Sequence, residues 1–227
     1  MRQVLLRSAY LLRNPVAALA VLVLAGGGSA LTAVPLFGVP GFELGEATAT
    51  AVGLLGGAVG IAAAFLERRL IQSRDPRPRS ALRRDGPGGA AVTAFGAALC
   101  LLLAALAVPF AAAVGRALVT SDCSPFTHAA FYPLLALPSA VLAAAAGVFC
   151  GFAVRSGWAA ALLYASLVVL SVGWTAWPLV FGPQAHAFNH FLGYWPGPLY
   201  DEALRIRPAL NWFRLQTLLA AGFLGFL

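Results

Sequence analysis

GGAAVTAFGAALCLLLAALAVPFAAAVG, residues 88–115, contains no charged side chain over 28 positions. At a rise of about 1.5 Å per residue, roughly 20 apolar residues cross the 30 Å hydrocarbon core of a bilayer, so this stretch is long enough to span with tilt. Only a helix or a closed barrel satisfies every backbone polar group inside lipid. An unbroken apolar run reads as the helix rather than as the alternating strand of a barrel. The rest of the chain repeats the pattern, with further apolar runs at 15–37, 47–66, 126–154, 158–181 and 209–227. The fold class is therefore an all-α, polytopic transmembrane helix bundle of about six spans.

Composition supports this reading. Of the 227 residues, 60% are hydrophobic and 10% charged, against about 45–50% apolar and 25% charged in soluble domains. All fifteen basic residues are arginine, which excludes a Walker A phosphate loop, a lysine Schiff base and a lysine general base. The net charge of +7 does not indicate nucleic acid, because the arginines punctuate apolar runs. With the N-terminus inside, eleven of them (Arg2, Arg7, Arg13, Arg68, Arg69, Arg74, Arg77, Arg79, Arg83, Arg84 and Arg155) are cytoplasmic. Four (Arg116, Arg205, Arg207 and Arg214) are not. The positive-inside rule then sets a cytoplasmic N-terminus in a multi-pass protein of the cell membrane. A cleaved leader ending near Gly28-Ser29-Ala30 competes with the first span, but the apolar stretch continues to Phe37.

Between the second and third spans lies an arginine-rich cytoplasmic loop, 67–87. Its prolines and charge argue against a packed structure, and Arg68, Arg69, Arg74, Arg77, Arg79, Arg83 and Arg84 suit anionic lipid headgroups. Docking of a cytoplasmic partner is the sharper alternative. Glycine and alanine recur every three or four residues at Gly53, Gly56, Gly57, Gly60 and Ala64 and again at Ala140, Ala144, Gly147 and Gly151. Such stripes let helix backbones approach closely, in the bundle interior or at a homo-oligomer interface. Gly26, Gly27 and Gly28 predict an irregularity in the first span.

Sites are sparser. The apolar cores of the first five spans hold no Asp, Glu, Arg or Lys, which weighs against an ion-coupled pump. On the predicted outer side, His186 and His190 have the i, i+4 spacing that puts two imidazoles on one helical face. With His128, Asp122 and Cys123 they form a candidate transition-metal site. The alternative is that these histidines satisfy loop hydrogen bonds. No complete catalytic motif is present. The extracytoplasmic loop 182–208 is rich in aromatics, glycine and proline and is expected to lie on the membrane as a lid, with Arg207 and Arg214 snorkelling to phosphate.

GYWPGPLYDE at 193–202, Asn189-His190-Phe191, Ser121-Asp122-Cys123 and PLFGVPGFE at 35–43 resemble a group of bacterial polytopic membrane proteins. In that group a membrane domain precedes an extramembrane region similar to gluzincin metallopeptidases. The resemblance implies that these residues are the N-terminal membrane part of a longer protein, and because this chain contains no such region, it transfers no peptidase residue. Function is thus expected to be that of a membrane anchor presenting an outer aromatic and histidine loop. The alternatives are a permease-like subunit of an ABC exporter, with the ATPase on a partner chain, and an envelope enzyme using the outer His/Asp cluster.

Overall fold

A computed structural model describes residues 2–72, 76–120, 128–182, 187–195 and 205–226. The chain is all-α apart from one short hairpin. Four helices are long and apolar enough to cross a membrane: α4 (Phe42–Gln72), the Gly89–Thr120 part of α5 (Pro76–Thr120), α6 (Phe131–Ala153) and α7 (Gly157–Phe181). A fifth span is obtained if Gln3–Leu11 and Pro15–Leu31, bent by 90° to one another, are taken together. The helix α8 (Pro208–Phe226) lies where the sixth apolar run was expected, but Asn211, Arg214, Gln216 and Thr217 dilute its hydropathy.

The N-terminal residues form a separate helix, α1 (Arg2–Leu11). Asn14 explains the bend: its side-chain oxygen accepts from Val16 and Ala17 N–H, and Pro15 takes the first position of α2 (Pro15–Leu22), so a new helix starts there. Arg7 holds α1 in place by an ion pair of 2.9 Å to Glu67, which is 1% exposed. Ser8 adds a hydrogen bond to the Ala97 carbonyl of α5. The glycine run expected to disturb the first span does so as a π-helical turn, Val23–Gly27, leading into α3 (Gly28–Leu31). Gly28 accepts the ring of Pro109 there; a Cβ would lie 3.0 Å from it.

Two expectations about boundaries are corrected. Segment 67–87 is largely helical rather than a loop, because α4 continues to Gln72 and α5 starts at Pro76. Arginine is a good helix former, and proline is tolerated in a first turn. The second span also begins earlier than position 47, at Phe42, so that Glu46 and Glu67 both lie within α4. The 21 residues between them span about 31 Å, which places one carboxylate near each edge of the hydrocarbon.

The centre of the bundle is the α4–α6 contact, where the two predicted small-residue stripes meet each other. A Cβ on Gly147 would lie 2.4 Å from the Gly57 carbonyl oxygen, one on Gly60 would lie 2.7 Å from that of Ala144, and one on Gly151 would lie 2.6 Å from the Ala64 Cβ. The backbones are therefore in direct contact, as small-residue packing allows. Arginines close two helix ends: Arg68 donates to the Val154 carbonyl at 2.6 Å and to that of Phe152 after α6, and Arg116 donates to the Thr32 carbonyl after α3. In contrast, α7 turns most of its surface outward, including Trp158, Leu162, Leu170, Trp174 and Trp177.

Substituting Gly147 by valine should force α4 and α6 apart and lower stability by about 1–3 kcal/mol. Gly173→Ala on α7, where an added Cβ meets nothing within 4 Å, should not. Thermal unfolding in detergent checks the pair, and equal effects would contradict the contact.

Candidate functional site

Between α7 and α8 the chain folds back as a hairpin, β1 (Ala187–Asn189) paired antiparallel with β2 (Gly193–Trp195) in the register Ala187↔Trp195, Phe188↔Tyr194 and Asn189↔Gly193. The turn is built by Asn189, whose Oδ1 accepts from the N–H of Phe191 (2.9 Å) and of Leu192 (2.8 Å). Its Nδ2 donates to Ser171 and Thr175 on α7. Gly193 has φ of +117°, and a Cβ there would also strike the Glu46 carboxylate.

One stripe of α4 receives this hairpin. Glu46 Oε2 accepts the Tyr194 N–H at 2.9 Å, and Thr50 Oγ1 donates to the Leu192 carbonyl at 2.9 Å. Gly53 lets the Phe191 carbonyl pass so close that a Cβ would lie 2.2 Å from its oxygen. Phe191 then meets Tyr164 edge to face at 5.9 Å. Positions 46, 50 and 53 follow the i, i+4, i+7 pattern of one helix face. The eleven residues from Phe42 to Gly53 put the turn about 16 Å along α4 from the helix end. The described hairpin, 187–195, is thus wedged into the bundle at this point rather than lying flat on it.

Beneath the hairpin, α8 presents a buried stripe of Leu210, Arg214, Thr217 and Ala221. Arg214 does not snorkel. It is 2% exposed, its Nη1 donates to Ser139 on α6 at 3.4 Å, and its Nε and Nη2 have no hydrogen-bond partner. Ser139 in turn contacts the His190 carbonyl at 3.5 Å. The His190 imidazole stacks on Phe213 at 4.4 Å, and its Nδ1 shares a hydrogen bond of 2.9 Å with Thr217. Burial pushes this imidazole below the ordinary histidine range, and the nearby Arg214 charge acts in the same direction. Glu46 couples electrostatically to Arg214, and its Oε1 is buried without a hydrogen bond. A guanidinium with unmet donors and a carboxylate with an unmet acceptor make a centre suited to a polar ligand or ordered water.

This centre shares only His190 with the candidate metal set. The residues between the two histidines, Ala187–Asn189, form a strand rather than the helix expected there. His128 is exposed at the start of α6, with its ring 6.3 Å from Phe131. His186, Asp122 and Cys123 fall outside the described residues. Among the described residues, no three His, Cys, Asp or Glu side chains converge. Sequence reasoning missed Glu46, Ser139 and Thr217. The available signal was the spacing 210, 214, 217 and 221, which places Arg214 on the inward face.

Compared with known protein families, curated proteins and solved structures, the chain matches none of them.

Because burial lowers the His190 pKa in the folded protein from an unfolded value of about 6.5, the unfolded chain binds more protons at this site around and below that pH. The contribution of His190 to stability should fall as pH drops through and below about 6.5. Unfolding temperatures measured across this range should show the native chain losing stability relative to His190→Gln as pH falls; identical pH profiles would contradict it.

Proposed function

We propose that this chain is a multi-pass domain of the bacterial cell membrane, N-terminus cytoplasmic, with the bent α2–α3 segment and α8 completing six spans. We further propose that it acts as a permease-like subunit. The observation that carries this reading is the centre under the inserted hairpin, where the buried Arg214 lies with the half-buried Glu46 and His190. Ionisable groups within a membrane bundle are costly, and they mark polar pathways by default. The hairpin covers the centre from the predicted outer side, where a gate belongs. On the predicted inner side, α1 lies across the bundle and is joined to α4 by Arg7 and Glu67. It offers a surface for a partner ATPase, which the lack of a nucleotide-binding motif would require.

The α4–α6 backbone contact favours a second reading. A crossing with no space for even one added Cβ suits a rigid anchor, consistent with the resemblance to membrane domains that precede a peptidase-like region.

Labelling separates these readings. In a Cys100→Ala/Cys150→Ala background, Cys123 should react with a membrane-impermeant maleimide added to intact cells; reaction only after permeabilisation would reverse the orientation. Ser139→Cys beneath the hairpin should react with a small, water-soluble thiosulfonate if the hairpin opens as a gate. Complete protection of that position would leave the anchor.

A further inference from the structure

At the end of the bundle opposite the hairpin, a cavity of about 1230 Å³ opens between α2, α4 and α7. It is larger than the roughly 300–1,000 Å³ usual for small-molecule pockets. Its walls divide by chemistry. Ile61 and Phe65 from α4, with Val16 from α2, supply apolar surface, whereas Arg68, Arg69 and Arg155 bring three guanidinium groups to the same groove. Among the described residues, no acidic side chain lines it.

The arginines are placed differently. Arg68 is fixed, its Nη1 on the Val154 carbonyl and its guanidinium over the rings of Phe65 and Phe152 at 5.6 and 5.7 Å. Arg69 and Arg155 are exposed. Between the chain's exit from α6 and the start of α7, Ser156 occupies the N-cap without a side-chain hydrogen bond. The first N–H groups of α7 therefore lack that partner, and Gly157 and Trp158 of that turn line the cavity. A fixed positive charge, two adaptable ones and a helix N-terminus form a site for a phosphate oxyanion. Trp158, 83% exposed, adds the amphipathic ring favoured at headgroup depth.

We infer that this groove binds one anionic phospholipid, with its phosphate among Arg68, Arg69 and Arg155 and its acyl chain along Ile61 and Phe65. The apolar wall selects the lipid over free phosphate, because a soluble anion gains nothing from it. A second cavity of about 580 Å³, between α5, α6 and α8, shows the contrast: Phe95, Phe149 and Leu218 line it, and none of its described lining residues is charged.

The full chain in neutral detergent can be titrated with phosphatidylglycerol, phosphatidylcholine or inorganic phosphate and followed by native mass spectrometry and thermal shift. Phosphatidylglycerol should be retained as one adduct and stabilise the protein. Arg69→Gln/Arg155→Gln should weaken that adduct about thirtyfold, at roughly one surface-charge contact per arginine. The exposed Arg205→Gln, at the other end of the bundle, should not. Ala161→Trp, which fills the groove from the exposed face of α7 and keeps every arginine, should also displace the lipid. Equal retention of phosphatidylcholine, equal stabilisation by inorganic phosphate, or undiminished binding in both groove variants would overturn the inference.

Discussion

Gly57 and Gly60 on α4 face Gly147 and Gly151 on α6 at a separation that excludes side chains, and the positions of the other elements follow from that closeness. Lipid provides little hydrophobic drive for helices to associate, so van der Waals contact between backbones has to supply it. With α4 and α6 drawn together on one face, the adjacent stripe of α4, from Glu46 to Gly53, is left facing α7 and α8. This stripe receives the hairpin. The glycine at position 53 serves that neighbour as Gly60 serves α6, since in both cases the missing Cβ makes room for another backbone, whereas at Gly57 it admits the Tyr164 ring of α7.

A hairpin wedged among membrane-spanning helices raises the question of where its backbone polar groups go. Irregular backbone at membrane depth is tolerated only when protein satisfies it. The pairing of β1 with β2 settles part of the account, and side chains settle the rest: Asn189 takes two turn N–H groups, Glu46 takes one, and Thr50 and Thr175 donate to carbonyls. Five polar contacts from three elements therefore fix one short turn. The charges beneath it are less completely satisfied, with Arg214 and Glu46 keeping unmet atoms while the surrounding groups are paired. That imbalance separates the centre from ordinary structural hydrogen bonding.

Charge is divided between the two ends of the bundle. At one end, guanidinium groups sit at the surface of a groove and close the end of α6. At the other, Arg214 is taken inside and Arg116 closes the end of α3. Arginine suits all of these roles because its planar fork can meet two carbonyls or an oxyanion and stays charged when partly buried. The absence of lysine fits a chain whose cations act through geometry as much as through charge.

The helical character, the apolar runs and the two small-residue stripes are set by sequence alone, because span length and the three- to four-residue recurrence of glycine and alanine are local properties of the chain. The π-helical turn at Val23–Gly27 was legible for the same reason: three consecutive glycines lower helix propensity wherever they lie. The pairing of those stripes, the separate α1, the strand at Ala187–Asn189 and the inward turn of Arg214 were decided by tertiary structure. An arginine near a helix end has the same sequence whether it reaches to a headgroup or to Ser139; only the face set by the packing of Leu210, Thr217 and Ala221 determines which. Likewise, two histidines four residues apart suggest a helix, whereas the chain at Ala187–Asn189 is a strand in a hairpin seated on Glu46 and Gly53, more than a hundred positions away.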